Sequence, residues 1–268
     1  MTPSDTMSGF RSQEHANQAV TLFWTGGWDS TFRLLYLLLV LKRQVQPYYL
    51  IDSDRLSTGI ELKTMKRIRA RLVALNPEVN ELLRPVIFEE ISYIPLNREL
   101  TESFWRLRAA HSIGTQYEWL ARFAHDRGLD ALELCIQAKG RMYRVLGPLV
   151  VATEQDGERV FQIGRQFSDC DLFAVFKYFR FPVFDVTKPD MERISHERGF
   201  NQLLELSWFC HAPRRNGSPC GACVPCTCAM EQGMSRRLPR LSRARYYSRR
   251  YLRAALKGVK GALQRRGP

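Results

Sequence analysis

Val20-Thr21-Leu22-Phe23-Trp24-Thr25-Gly26-Gly27-Trp28-Asp29-Ser30-Thr31 is a short apolar run broken by two glycines and followed by hydroxyl-bearing residues. Val20 to Trp24 has strand character, and Phe32, Leu35, Tyr36 and Leu39 then recur at helical spacing, so a strand is expected to pass into a helix near Asp29. The leucines around them imply a helix buried on nearly every side, which belongs against a sheet. A strand-to-helix turn presents backbone N–H groups and the positive end of the helix dipole, a setting that binds anions. Gly26 and Gly27 remove the Cβ atoms that would keep the backbone from a ligand, Thr25, Ser30 and Thr31 bring hydroxyls, and Trp28 lies within the loop. Asp29 can cap the helix or help to hold Mg²⁺. The competing reading is a ligand-free turn with Asp29 or Ser30 as N-cap. Five specified positions match by chance in on the order of 10⁻³ of such chains, which favours phosphate binding.

Outward from this turn, Tyr48 to Ile51 predicts a second strand ending at Asp52, and Thr58 to Leu75 a helix carrying Ile60, Met65, Ile68 and Leu72. Val86 to Ile91 and Ala131 to Ile136 predict further strands. A helix around Gln116 to Arg127, capped by Gly128, precedes the second of these. This alternation predicts an α/β protein with a parallel sheet. Leu149 to Thr153 and Arg159 to Ile163 flank an Asp156-Gly157 turn and predict a β-hairpin. Helices are expected over Asp169 to Phe179 and Lys188 to Arg198, with Pro182 to Val186 between them.

Polar Met1 to Asn17 lacks the apolar stretch of a signal peptide, so residues 1–18 are expected to be a flexible leader at the mature start. The apolar run Leu34 to Leu41 is about half the ~20 residues a bilayer crossing needs and predicts a buried helix. Seven cysteines without a secretory signal point to the reducing cytoplasm. Four of them, Cys210, Cys220, Cys223 and Cys226, fall within 17 residues, and the two-residue gaps let successive thiolates reach one Zn²⁺. An iron–sulfur cluster fits the same spacing, and His211 and Cys228 are spare ligands. Such a closed site is expected to be structural and to pin the C-terminal segment. Of the net charge of +13, residues 231 to 268 contribute +11, with 12 Lys or Arg against Glu231. A polyanion is therefore sought in this tail. Leu252, Leu256, Val259 and Leu263 fall on one helical face, so residues 236–266 are expected to meet an acidic membrane surface or nucleic acid, unless they form a solvated or disordered tail.

Thr25 to Ser30 resembles the Ser-Gly-Gly-x-Asp-Ser motif of the pyrophosphatase-loop ATPases, with threonine in the place of serine, and no Gly-Lys-Ser/Thr of a Walker loop follows. With Thr187-Lys188-Pro189-Asp190-Met191, Leu206-Ser207-Trp208-Phe209-Cys210 and Pro219-Cys220-Gly221-Ala222-Cys223-Val224-Pro225-Cys226, residues 20 to 228 resemble the 7-cyano-7-deazaguanine synthase family. The resemblance implies a Rossmann-like, doubly wound parallel sheet of the adenine nucleotide alpha hydrolase type, and a small C-terminal segment that binds zinc through four cysteines. It implies an ATP-binding domain over 19–205, a zinc segment over 206–232 and a basic tail over 233–268. The activity implied is ATP-dependent adenylation of 7-carboxy-7-deazaguanine or a related acid, attacked by ammonia or an amine to give a nitrile or amide. ATP, Mg²⁺ and Zn²⁺ are the implied cofactors. Thr25 to Thr31 and Asp52 would hold the nucleotide, Asp29, Ser30 and Lys188 would be catalytic, and Glu61 falls where the family's second helix begins. The family's Arg-Asn pair and Gly-Tyr-Pro-Asp-Cys-Arg stretch are replaced by Ser112 to Gln116 and Ile163 to Cys170, where Arg165 and Asp169 are weak candidates for substrate contact. Conjugation of such an acid to a protein or sugar, and a non-catalytic binding module acting through the tail, are the alternatives. A homodimer is left open.

Overall fold

The computed structural model describes residues 18–155 and 157–264. The expectations for the leader, for Asp156 and for the faces of Leu256, Val259 and Leu263 fall outside the described backbone or side chains. Contacts divide the chain into two units, one made of residues up to Asp52 together with Leu62–Ser207, the other of Ser53–Glu61 together with the chain from Trp208 onward.

In the first unit five strands form a parallel sheet: β1 (Val20–Phe23), β2 (Val45–Ile51), β3 (Ile87–Glu90), β4 (Leu132–Glu133) and a last strand, Phe179–Arg180. Its order is β3-β2-β1-β4 and then the Phe179 strand, so the chain builds outward one way from β1 and then returns to build the other way. The order reverses between β1 and β4, and open α/β sheets place their ligands outside the carboxyl ends of the strands at such a point. Leu22 of β1 pairs in register with Glu133 of β4. Helix α1 (Trp28–Leu35) follows β1 and is buried at seven of its eight residues, as the leucine-rich sequence requires. Next along the chain come α2 (Thr58–Leu75), α3 (Val79–Leu82), α4 (Arg98–Ala110), α5 (Gln116–Asp126) and α6 (Arg141–Leu146). The hairpin β5 (Val150–Gln155) and β6 (Glu158–Ile163) is antiparallel, with Gly157 at φ +76°, in the left-handed region that a tight turn needs. Helix α7 (Asp171–Phe176), strand β7 (Phe179–Arg180), α8 (Lys188–Glu197) and α9 (Asn201–Leu204) complete the unit. Phenylalanines from sheet, helices and hairpin fill its core: Phe23 lies 5.8 Å from Phe123 and 6.2 Å from Phe179, ring to ring, and Phe161 lies 5.6 Å from Phe184.

Several expected boundaries move. The apolar run after α1 is a π-helical turn, Tyr36–Val40, rather than a continuous α-helix. Only Leu132–Glu133 of Ala131 to Ile136 pairs as strand. The helix expected over Asp169 to Phe179 is confined to Asp171–Phe176, because Phe179 and Arg180 pair with β4 instead. Pro182 to Val186 forms turns, and the sequence reading passed over α4 entirely. Helix α4 is nonetheless amphipathic, with Leu100, Phe104 and Leu107 buried at spacings of four and three, and Asn97 caps it by accepting from Leu100 N–H at 3.0 Å. Among the described residues, no helix is long and apolar enough to cross a membrane.

A buried ion-pair network is set into this apolar interior. Arg33, in the last turn of α1, donates from Nε and Nη2 to Glu133 at 2.9 and 2.6 Å, and from Nη1 and Nη2 to Glu158 at 2.8 and 3.0 Å. Burial opposes its charge, but the two carboxylates more than compensate and hold the guanidinium above its ordinary pKa. Helix, sheet and hairpin are thus tied at one buried cation. Replacing Arg33 by Ala strands Glu133, and breaking such a buried pair costs about 3–5 kcal/mol. Urea unfolding of Arg33→Ala should show that loss, and Arg33→Met with Glu133→Leu should recover most of it.

Candidate functional site

The β1–α1 turn is built by its glycines. Gly26 takes φ +68°, a left-handed conformation that costs an ordinary L-residue about 1–2 kcal/mol. Gly27 is the N-cap in extended conformation, with no side-chain cap. Neither Asp29 nor Ser30 is the N-cap, which corrects that detail of the ligand-free reading. Thr31 N–H closes the first helical bond onto Gly27 O at 2.9 Å, so the N–H groups ahead of it leave the helix end without an intrahelical acceptor. The hydroxyls brace the loop: Ser30 Oγ accepts from Thr25 N–H at 3.3 Å and lies 3.4 Å from Thr25 Oγ1, which in turn accepts from Gly27 N–H at 3.4 Å. Thr31 is held from the other side, since Trp24 Nε1 donates to its Oγ1 at 3.1 Å.

Asp29 and Lys188, 159 positions apart in sequence, meet here: Lys188 Nζ lies 3.7 Å from Asp29 Oδ1. That oxygen is buried and accepts no hydrogen bond. Lys188 is delivered by the start of α8, where Thr187 and Asp190 form a reciprocal capping box, Asp190 N–H donating to Thr187 Oγ1 at 3.3 Å and Thr187 N–H to Asp190 Oδ2 at 3.1 Å. The Thr187 hydroxyl and N–H also hold the Asp190 carboxyl below the usual carboxylate range. Asp52 follows β2, the parallel neighbour of β1, and is half-buried at the same end of the sheet. Asp29 is a residue that could hold a hard cation through its carboxylate, and the N–H groups of the turn and Lys188 are groups that could hold an anion.

Other expected contacts lie elsewhere. Glu61 is buried in the second unit, accepting from Ser57 Oγ at 2.7 Å and pairing with Arg55 at 3.2 Å. Arg165 and Asp169 are exposed; Asp169 accepts from the adjacent Ser168 hydroxyl. Ser112 is engaged by Arg141, whose Nη1 donates to its carbonyl at 2.9 Å and its hydroxyl at 3.0 Å.

In the second unit the four cysteines converge, all four sulfurs lying within 4.8 Å of one another. Cys223 and Cys210 sulfurs are 3.8 Å apart, and Cys220 and Cys226 3.9 Å. A tetrahedral zinc with Zn–S bonds of ~2.3 Å requires S···S edges of about 3.8 Å, while a disulfide requires ~2.05 Å. Backbone N–H groups point at the sulfurs: Cys220 N–H to Cys210 Sγ at 3.2 Å, and Ala222 and Cys223 N–H to Cys220 Sγ at 3.3 and 3.2 Å. Such donors favour thiolates. The Cys223 thiol is pulled down by its hydrogen bonds with Cys210 and Cys226, while the contact with Cys223 pushes Cys210 up to about 12.

The helices α10 (Val224–Glu231) and α11 (Arg240–Gln264) flank this cluster. Gly221 sits at φ +73°, and a Cβ there would fall 2.0 Å from Ser242 O, on the backbone of α11. Ser242 Oγ donates to Pro219 O at 2.5 Å, and Trp208 Nε1 to Cys210 O at 2.7 Å, so the knuckle is clamped from both sides.

The class defined here is an α/β protein with a five-stranded parallel sheet and a C-terminal cluster of four cysteines that could hold a metal ion such as zinc. No protein-family model matches the chain, and no curated protein does.

Sequence reasoning missed the Glu133 and Glu158 partners of Arg33, although an acid inside the apolar run Ala131 to Ile136 was a signal. It also missed Cys135 and Lys139 beyond β4. Burial pushes the Cys135 thiol well up, aided by the nearby charge of Glu133. Lys139 takes φ +64°, uncommon for a residue with a side chain.

Replacement of Gly221 by Ala should drive the knuckle off α11. The expected outcome is loss of bound zinc, measured by metal analysis, and a thermal midpoint lowered by several degrees, with Gly217→Ala as a milder left-handed control.

Proposed function

We propose that the chain is an ATP-dependent carbon–nitrogen ligase of the pyrophosphatase-loop class on a Rossmann-like sheet, acting on 7-carboxy-7-deazaguanine or a related acid, with ammonia or an amine as nitrogen donor. The observation that carries the reading is the buried, hydrogen-bond-free Oδ1 of Asp29 beside Lys188, at the mouth of a glycine turn where the strand order reverses. A buried carboxylate oxygen without a hydrogen bond is costly, and Lys188 meets this one as an ion pair at 3.7 Å, beyond hydrogen-bond distance.

In this reading the N–H groups of the turn and the hydroxyls of Thr25 and Ser30 cradle phosphate oxygens. Asp29 holds Mg²⁺, and Lys188 neutralises charge that grows on the phosphates as the bond between them breaks. Asp52 lies beyond β2 on the nucleoside side. ATP supplies activation of the substrate carboxylate by adenylyl transfer, with pyrophosphate leaving. Zinc at Cys210, Cys220, Cys223 and Cys226 has no open coordination position and serves the fold. The cysteines stay reduced in the cytoplasm, the compartment this reading assigns. The substrate-side segments Ser112 to Gln116 and Gly164 to Cys170 depart from the family pattern and leave room for a related acid.

With zinc-loaded protein, ATP, Mg²⁺, ammonium and 7-carboxy-7-deazaguanine, AMP and a nitrile or amide should appear by chromatography and mass. Asp29→Ala and Lys188→Ala should each lower the rate by about 10²-fold or more while zinc content and the thermal midpoint stay unchanged. ADP as the nucleotide product, or AMP formation indifferent to Asp29, would sink the proposal.

A further inference from the structure

The chain from Trp208 onward carries the whole net charge of the protein. Over that stretch there are 14 Lys or Arg against the single acid Glu231, a net +13, which leaves 26 of each sign in the rest of the chain. Four zinc-bound thiolates would subtract two charges, too few to explain this excess as local neutralisation. Four of the cations, Arg214, Arg215, Arg245 and Arg249, line one open cleft of about 770 Å³ beside the cysteine knuckle. No acid lines it, and among the described residues none of the four makes an ion pair.

The cleft is built rather than incidental. Arg214 N–H donates to Ser218 O at 2.9 Å and Gly217 N–H to Arg214 O at 2.8 Å, with Gly217 at φ +75°. Asn216 Oδ1 accepts from Ser218 N–H and Oγ at 3.1 and 2.8 Å. This closed turn presents Arg214 and Arg215 from one wall. Arg245 and Arg249, one turn apart on α11, present from the other, and Arg249 is anchored by donating to Ala222 O at 3.4 Å. All four are arginines, whose planar fork matches phosphate oxygens in pairs.

We propose that this cleft binds the phosphate backbone of a single-stranded nucleic acid. A concavity with four guanidinium groups needs several phosphates close together, which one strand provides and a flat bilayer of singly charged headgroups does not. The site lies within the second unit and holds whether or not the chain uses ATP.

The test is fluorescence anisotropy of the full-length zinc-loaded chain with a labelled oligouridylate of about 20 nucleotides, across about 50–300 mM salt. Single-strand contacts contribute a slope of about −0.7 per phosphate in log K against log salt, so the four arginines should supply about −3. Arg245→Gln with Arg249→Gln should weaken binding about tenfold or more and flatten the slope by about 1.4. Arg214→Gln with Arg215→Gln should do the same, and this pair decides if the first variant loses zinc. Unchanged affinity and slope in the arginine variants, with binding lost on truncation after Leu252, would place the contact in the tail and overturn the proposal. Capture by phosphatidylserine vesicles without oligonucleotide binding would overturn it equally.

Discussion

The guanidinium of Arg33 sets the frame for the first unit, because a cation in an apolar interior is stable only where its partners converge. Glu133 comes from the short strand β4 and Glu158 from the hairpin, and both must reach one side chain on α1. That requirement fixes the rotation of α1 about its axis and its position over β4. The turn that carries Asp29 is the first turn of that helix, so the aim of its N–H groups follows from a contact one turn away. Lys188 arrives on a separate constraint, the capping box of α8, and the two constraints together bring its ammonium within 3.7 Å of Asp29.

Where local chemistry decides a feature, it was legible in the sequence. The glycine pair and the apolar run before it announce the β1–α1 turn. Thr58–Leu75 matches its expected helix because a full amphipathic stripe leaves little choice. The hairpin follows from its turn residues, and the cysteine spacing foretells the convergence of sulfurs. Features decided by partners far along the chain were not legible. The strand at Phe179–Arg180 exists because β4 offers it a ladder, against a local pattern that reads as helix. The order of strands, and with it the reversal beside β1, cannot be read from any single segment. Arg33 borders the apolar run Leu34 to Leu41, and nothing near it in the sequence names acids 100 and 125 positions away.

The second unit rests on other physics. Besides the cysteines, its buried apolar side chains among the described residues are Ala229, Met234, Leu238 and Tyr246, and cysteine sulfurs, N–H···S contacts and close backbone packing around Gly221 add to its order. Arg237, ahead of α11, stacks over Phe209, and Tyr246 on α11 is buried, while Arg240, Arg245, Arg249 and Arg250 of that helix are exposed. Charge and packing are thus separated on the same helix: one face supplies cohesion, another the field around the cleft.

The approach of Gly221 to Ser242 bears on how this chain can change over time. Because the contact is made to a backbone oxygen, no choice of residue at 242 can relieve it, and position 221 admits one amino acid out of twenty. Position 242 keeps some freedom, limited by its hydroxyl bond to Pro219. Two positions that touch are therefore under unequal constraint, and drift in the basic helix can proceed without compensation at the knuckle, whereas drift at the knuckle cannot be rescued from the helix.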